Sequence, residues 1–119
     1  MSFIERTTLP NGLRVIAAPM RGTNTATVLV MVATGSKYET KDINGLSHFL
    51  EHMVFKGTTK RPTTQQIAEE LDRVGAESNA FTSDEVTGFY AKVAYSFLDV
   101  ALEVIADMLV SPLLAQEEI

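Results

Sequence analysis

The sequence predicts an α+β fold: a two-layer arrangement of one largely antiparallel sheet with helices packed on one face. Three observations lead there. Strand-like and helix-like segments are segregated, in the order strand, strand, strand, helix, helix, strand, strand, helix. Short turns at Asn11-Gly12 and around Asp84-Glu85 suit antiparallel neighbours. The longest helical segment, 96–110, is apolar over most of its circumference and so has a wide face to bury.

Residues 3–9 and 13–18 read as two short strands, with the hairpin signal Asn11-Gly12 between them. Residues 25–34 are β-branched and apolar on both alternating faces, which fits a central strand covered on both sides. A polar connection, 35–43, leads to the segment 44–57. There Asn44 is a candidate N-cap and Gly57 a candidate stop, which predicts a helix of roughly three turns. Leu46, Phe49, Leu50, Met53 and Val54 share one side of it, the expected core face. His48, Glu51, His52 and Phe55 share the other.

That second side carries the chemistry. Residues at i, i+3 and i+4 are surface neighbours on a helix, so His48, Glu51 and His52 can converge on one point. Two neutral imidazoles four residues apart can bind one Zn²⁺, and a carboxylate beside the metal can exchange protons with a bound water. The order His-x-x-Glu-His is the inverted form of the commoner zinc-peptidase motif. A solvated helix face is the bland alternative. The chain has only two histidines, however, and both lie in the motif. Random placement of two histidines and ten glutamates would give this arrangement roughly once in a thousand trials.

Beyond the motif, Lys60-Arg61 reads as part of a solvated loop. Thr63 and Gln66 have capping-box spacing at the start of a second helix, whose apolar stripe is Ile67, Leu71 and Val74 and whose stop is Gly75. Residues 77–83 and 86–93 read as an antiparallel pair. The first arm, Glu77-Ser78-Asn79-Ala80-Phe81-Thr82, is polar and reads as an edge strand. Ser96 is a candidate cap for the last helix, which is expected to be buried on nearly all sides or to meet another domain. Ser111-Pro112 ends it, and residues 113–119 look like the opening of a further helix.

Composition narrows the class. Net charge is −5, which argues against a nucleic-acid or anionic-membrane surface. There is no cysteine, so disulfides, thiolate ligands and a cysteine nucleophile are excluded. No run of 18 apolar residues indicates a membrane span. The first six residues read as neither signal peptide nor transit sequence, so a cytoplasmic protein, or a mitochondrial matrix protein with its presequence removed, is expected.

Several stretches, in order, resemble one family. Leu9-Pro10-Asn11-Gly12-Leu13-Arg14-Val15, Gly35-Ser36-Lys37-Tyr38-Glu39, the segment from Asn44 to Thr58, and Asn79-Ala80-Phe81-Thr82 are similar to the start of the insulinase-like zinc peptidases, the pitrilysin family, which includes the processing peptidases. The resemblance implies a zinc metalloendopeptidase acting on unfolded peptides or presequences. It implies zinc ligation by His48 and His52, catalysis by Glu51, and a substrate-binding strand at Asn79, Ala80, Phe81 and Thr82. It further implies a third ligand, a glutamate past Ile119, so residues 1–119 would form the N-terminal part of a catalytic domain. A second related domain or subunit would close over the peptide. Two rivals differ in class. A scaffold subunit of the same fold would have a degraded metal motif, and this one is intact. S-ribosylhomocysteine lyase shares the helix motif but needs a cysteine.

Overall fold

The Asn11-Gly12 turn does form a hairpin. In the computed structural model, which describes residues 3–116, β1 (Glu5–Thr8) and β2 (Arg14–Ala17) pair antiparallel. Gly12 adopts φ 90 and donates to the Leu9 carbonyl at 2.9 Å. That left-handed conformation suits glycine, which has no Cβ to clash. The Asn11 carboxamide oxygen accepts from the Leu13 amide at 3.0 Å. The hairpin makes a two-stranded sheet of its own, and its strand residues are all exposed.

The main sheet holds β3 (Thr25–Val32), β4 (Glu77–Thr82) and β5 (Thr87–Ala94) in the order β3-β5-β4, antiparallel throughout. Strand periodicity sends alternate side chains to opposite faces. Val28 and Val30 of β3 sit opposite Ala91 and Phe89 of β5, which in turn face Ser78 and Ala80 of β4. This face is covered by helices. α2 (Thr64–Arg73) contributes Ile67 and Leu71, and α3 (Leu98–Val110) contributes Ala101, Val104, Ile105 and Met108, all buried in one cluster with Phe89, Ala91 and Val93. Burying each larger side chain of that kind contributes about 1.5–3 kcal/mol. The motif helix, α1 (Leu46–Met53), packs beside β4 and passes through a single 3-10 turn, Val54–Lys56, that adds Val54 to the cluster.

The two-layer α+β arrangement follows the sequence, with the strands divided between a sheet and a separate hairpin. Other expectations are corrected. Among the described residues, 25–34 do not form the central strand: β5 is central, and β3 lies at one end of the three-strand order. Its outward residues Leu29 and Met31 are 49% and 57% exposed, so its two apolar faces meet helices on one side only among the described residues. On the expected core face of α1, only Met53 and Val54 are buried, while Leu46, Phe49 and Leu50 are each about two-fifths exposed. Of the two expectations for α3, only burial on nearly all sides is corrected: one face is buried, and Leu102 and Val110 are exposed. Ser96 does not cap it, because a 3-10 turn, Tyr95–Phe97, feeds the helix and Phe97 holds the cap position without a side-chain bond. The capping box at Thr63 and Gln66 is present, each side chain accepting from the other's amide at 3.0–3.1 Å. Residues 113–115 are not helical, and Glu117 and Glu118, where a further helix was expected, lie outside the described residues.

Arg61 is the largest departure. It is 3% exposed, not solvated. Its guanidinium bonds Glu70 at 2.7 Å and Asp107 at 2.8 Å, with Glu103 at 3.3 Å. Thr58 completes the cluster: its hydroxyl donates to Asp107 at 2.6 Å and accepts from the Arg61 amide at 2.8 Å. The Glu70 carboxylate, with Asp107 and Glu103, raises the guanidinium pKa further above its usual value against the cost of burial. The cluster ties the loop after α1 to α2 and α3. Gly57 begins that loop at φ 141, where a Cβ would lie 2.3 Å from the Pro62 carbonyl oxygen.

Removing the buried Arg61 leaves Asp107, 13% exposed, with only the Thr58 hydroxyl and takes the ion pair from Glu70, while Glu103, half exposed, keeps Lys60. Arg61→Ala should therefore lower unfolding stability by about 3 kcal/mol. Arg61→Lys should recover little, since one ammonium cannot replace a planar fork with several partners. Urea denaturation of the three proteins checks this, and a loss in Arg61→Ala below about 1 kcal/mol, the level of an exposed pair, would count against the cluster.

Candidate metal centre

The site is a seam between α1 and β4, and its geometry starts at the helix N-terminus. Asn44 does not cap α1. Gly45 holds the cap position at φ 86, and its residue type provides no side chain to bond the free amides of the first turn. Glu39 supplies that group from the preceding loop. Its Oε1 accepts from the Gly45 amide at 2.8 Å and its Oε2 from the Ser47 amide at 2.7 Å. A carboxylate here also meets the positive end of the helix dipole. The amides of Ser47 first, then Gly45, hold the Glu39 carboxyl below the usual carboxylate range.

One turn on, the three motif residues do converge. His48 and His52 place their Nε2 atoms 3.0 Å apart, with ring centroids at 4.6 Å and planes at 67°. One ligand atom from each of His48, Glu51 and His52 lies within 4.8 Å of the others. Both imidazoles are exposed and Glu51 is half-buried. Two imidazoles on one tetrahedral zinc, each about 2.0–2.1 Å from it, would hold their nitrogens about 3.3 Å apart. The Nε2 pair is close to that spacing, so the donors present fit a zinc ion. Imidazole nitrogen is also the ligand type zinc accepts readily. Glu51 also has a partner outside the helix: its Oε2 accepts a hydrogen bond from the Thr82 hydroxyl at the end of β4.

The predicted substrate strand lies alongside. β4 pairs with β5 on one edge and with no described strand on the other. The Ala80 amide is bonded by its neighbour's side chain, Asn79 Oδ1 at 2.8 Å. Phe81 is 42% exposed and lies over Gly88, where a Cβ would come within 2.2 Å of its ring. Of the four residues, Thr82 touches the triad directly. Two open clefts flank the triad. One, of about 330 Å³, includes His48, Glu39, Asn44, Thr82 and Asp84 in its lining. The other, of about 320 Å³, includes Glu51, His52, Phe55, Ser78 and Asn79. Sequence reasoning assigned no role to Glu39 and missed the bond from Thr82 to Glu51; helix periodicity carries no signal for either, because both bonds come from outside α1.

The chain is also similar to known proteins. The family model for insulinase, peptidase family M16, matches residues 14–119. The chain is 46% identical over 106 residues to the uncharacterized zinc protease YmxG of Bacillus subtilis, covering 89% of this chain and 26% of that protein. It is 45% identical over 113 residues to the mitochondrial-processing peptidase subunit beta of Caenorhabditis elegans, covering 95% of this chain and 24% of that one. The crystal structure of a protease from Helicobacter pylori superposes with a TM-score of 0.92 at 33% identity, over 98% of this chain and 28% of that chain. The chain thus spans about a quarter of the length of these relatives.

The Glu39 bonds have a pH signature. Because its folded-state pKa lies below the unfolded value, the stabilisation is present at neutral pH and is lost as pH falls through the folded pKa, below the usual glutamate range of about 4.3. In Glu39→Gln, stability at pH 7 should be lower and the further loss on acidification to pH 3 smaller than in the parent. Denaturation midpoints at the two pH values check it; parallel losses in both proteins would remove Glu39 from the account.

Proposed function

The chain belongs to the insulinase family, peptidase family M16, and on that premise we propose that it is the N-terminal part of a zinc metalloendopeptidase. The observation that carries this reading is the convergence of His48 and His52 Nε2 with the Glu51 carboxylate on one face of α1. His48 and His52 would hold the zinc as neutral imidazoles, through Nε2. A catalytic zinc site normally takes three protein ligands. The third, a glutamate in this proposal, comes from outside the described residues.

Zinc, when bound, polarises the scissile carbonyl and lowers the pKa of its water. The proton work falls to Glu51. Its carboxylate takes a proton from the attacking water as the water oxygen bonds to the carbonyl carbon. The C–N bond then breaks, and Glu51 returns the proton to the departing amine nitrogen. One water is consumed, its second proton also passes to the amine, and a carboxylate and an ammonium are released.

β4 would receive the substrate. Its edge, unpaired among the described strands, would offer backbone groups to an extended peptide adding as one more strand at Asn79, Ala80, Phe81 and Thr82, with the Ala80 amide exchanging its bond to the Asn79 side chain for one to the peptide. Pairing through the main chain is largely indifferent to side chains and suits unfolded peptides or presequences as substrates. A second related domain or subunit would enclose the peptide, and the compartment would be bacterial cytoplasm or mitochondrial matrix. No helix among the described residues is long and apolar enough to cross a membrane. A scaffold role has no observation in its favour, since all three motif residues are present and converge.

Glu51→Gln in the full-length enzyme separates ligand from base. Glutamine keeps the shape but cannot take the proton. Zinc content should stay near one per protein while peptide hydrolysis falls by at least about 100-fold. Loss of the zinc would move Glu51 into the coordination shell and contradict the assignment.

A further inference from the structure

Glu51 can serve as a base only if its carboxylate is held toward the water rather than swinging into solvent. A glutamate side chain has three rotatable bonds, and no hydrogen bond from α1 to its carboxylate is present among the described residues. The Thr82 hydroxyl donates to Glu51 Oε2 from across the seam. We propose that Thr82 is a positioning residue that orients Glu51, a role that rests on the reading of Glu51 as general base.

Three features make the bond a built one. The first is the turn after Thr82, which is docked to the loop before α1. The Lys37 amide donates to the Asp84 carbonyl at 2.8 Å and the Ser36 hydroxyl to the Asp84 carboxylate at 2.7 Å. Gly35 is buried there, and a Cβ on it would lie 2.2 Å from the Ser83 carbonyl oxygen. The second is the residue opposite Thr82 in the ladder. Thr87 is 2% exposed, and its hydroxyl donates to the Thr34 carbonyl at 3.0 Å. The Thr34 hydroxyl in turn bonds the Ser47 hydroxyl of α1 at 3.1 Å. The end of β4 and the first turn of α1 are therefore tied through two separate routes. The third is direction: strand alternation turns Thr82 toward the helical layer, on the same face as Ala80, while Asn79 and Phe81 turn away.

The consequence is a division of labour within the carboxylate. Oε2 is occupied by Thr82, which leaves Oε1 for the water and the departing amine. It also separates Thr82 from its strand neighbours: its backbone can pair with a peptide, but its hydroxyl is committed to Glu51. Valine matches threonine in shape but lacks the donor, and serine keeps the donor.

The test uses the full-length, zinc-loaded enzyme. In Thr82→Val, kcat should fall about tenfold or more, the size expected for a lost hydrogen bond to a charged group, with KM within about twofold of the parent by the logic of a transition-state loss. Zinc content should remain unchanged, and Thr82→Ser should restore most of kcat. Introduced into Glu51→Gln, Thr82→Val should lower the residual rate by clearly less than it lowers the parental rate, whereas a general packing defect would lower both rates alike. A parental kcat in Thr82→Val, loss of zinc, a change confined to KM, or a Thr82→Ser variant as slow as Thr82→Val would each overturn the positioning role. Full activity in Glu51→Gln would instead overturn the underlying reading of Glu51, so the two failures are distinguishable.

Discussion

The Glu39 carboxylate, bonded to two amides at the N-terminus of α1, is the constraint on which the site depends. α1 has only eight residues. A helix that short is marginal by itself, because the nucleation cost is spread over few bonds. Its amphipathic packing is also thin, since three of its four apolar residues remain two-fifths exposed. Glu39 offsets this by satisfying two amides that Gly45 cannot cap. The loop that carries Glu39 is itself docked, through Gly35, Ser36 and Lys37, to the turn between β4 and β5. One short loop thus orients the helix that bears the imidazoles and the strand edge beside them. The surface pair Lys37–Glu85 adds little to this, as both side chains are about 60% exposed.

At the other end of α1 a second polar cluster does the corresponding work. Arg61, Glu70, Glu103, Asp107 and Thr58 join the exit loop to α2 and α3. Charge thus holds the entry to the helix and the loop that leaves it, while Met53 and Val54 anchor its C-terminal end in the interior. That arrangement leaves its histidine face open, as a metal and a peptide require.

What could be read from the sequence follows from the range of the interactions. The hairpin at Asn11-Gly12, the capping box at Thr63 and Gln66, the β4–β5 pair and the His48, Glu51, His52 face all arise from contacts within a few residues, and periodicity or turn chemistry reports them. The cap of α1 comes from a side chain six residues before Gly45, in place of the adjacent Asn44. The partners of Arg61 lie up to 46 residues away, so a basic pair in a loop looked solvated. The bond from Thr82 to Glu51 spans 31 residues. The placement of β3 failed for a different reason. Its two apolar faces were read as evidence of cover on both sides, yet helices cover one face among the described residues, in a chain that spans about a quarter of its relatives. Membership of the insulinase family adds what no local pattern holds, the identity of the fold around the motif.

The central claim is that His48 and His52 hold zinc while Glu51 stands beside it. X-ray absorption at the zinc edge, on the full-length protein and on its His48→Ala variant, tests this most directly. The account predicts a shell containing two imidazole nitrogens at about 2.0–2.1 Å in the parent, with the metal lost or one imidazole missing in the variant. A shell unchanged by His48→Ala would place the metal elsewhere and contradict the account.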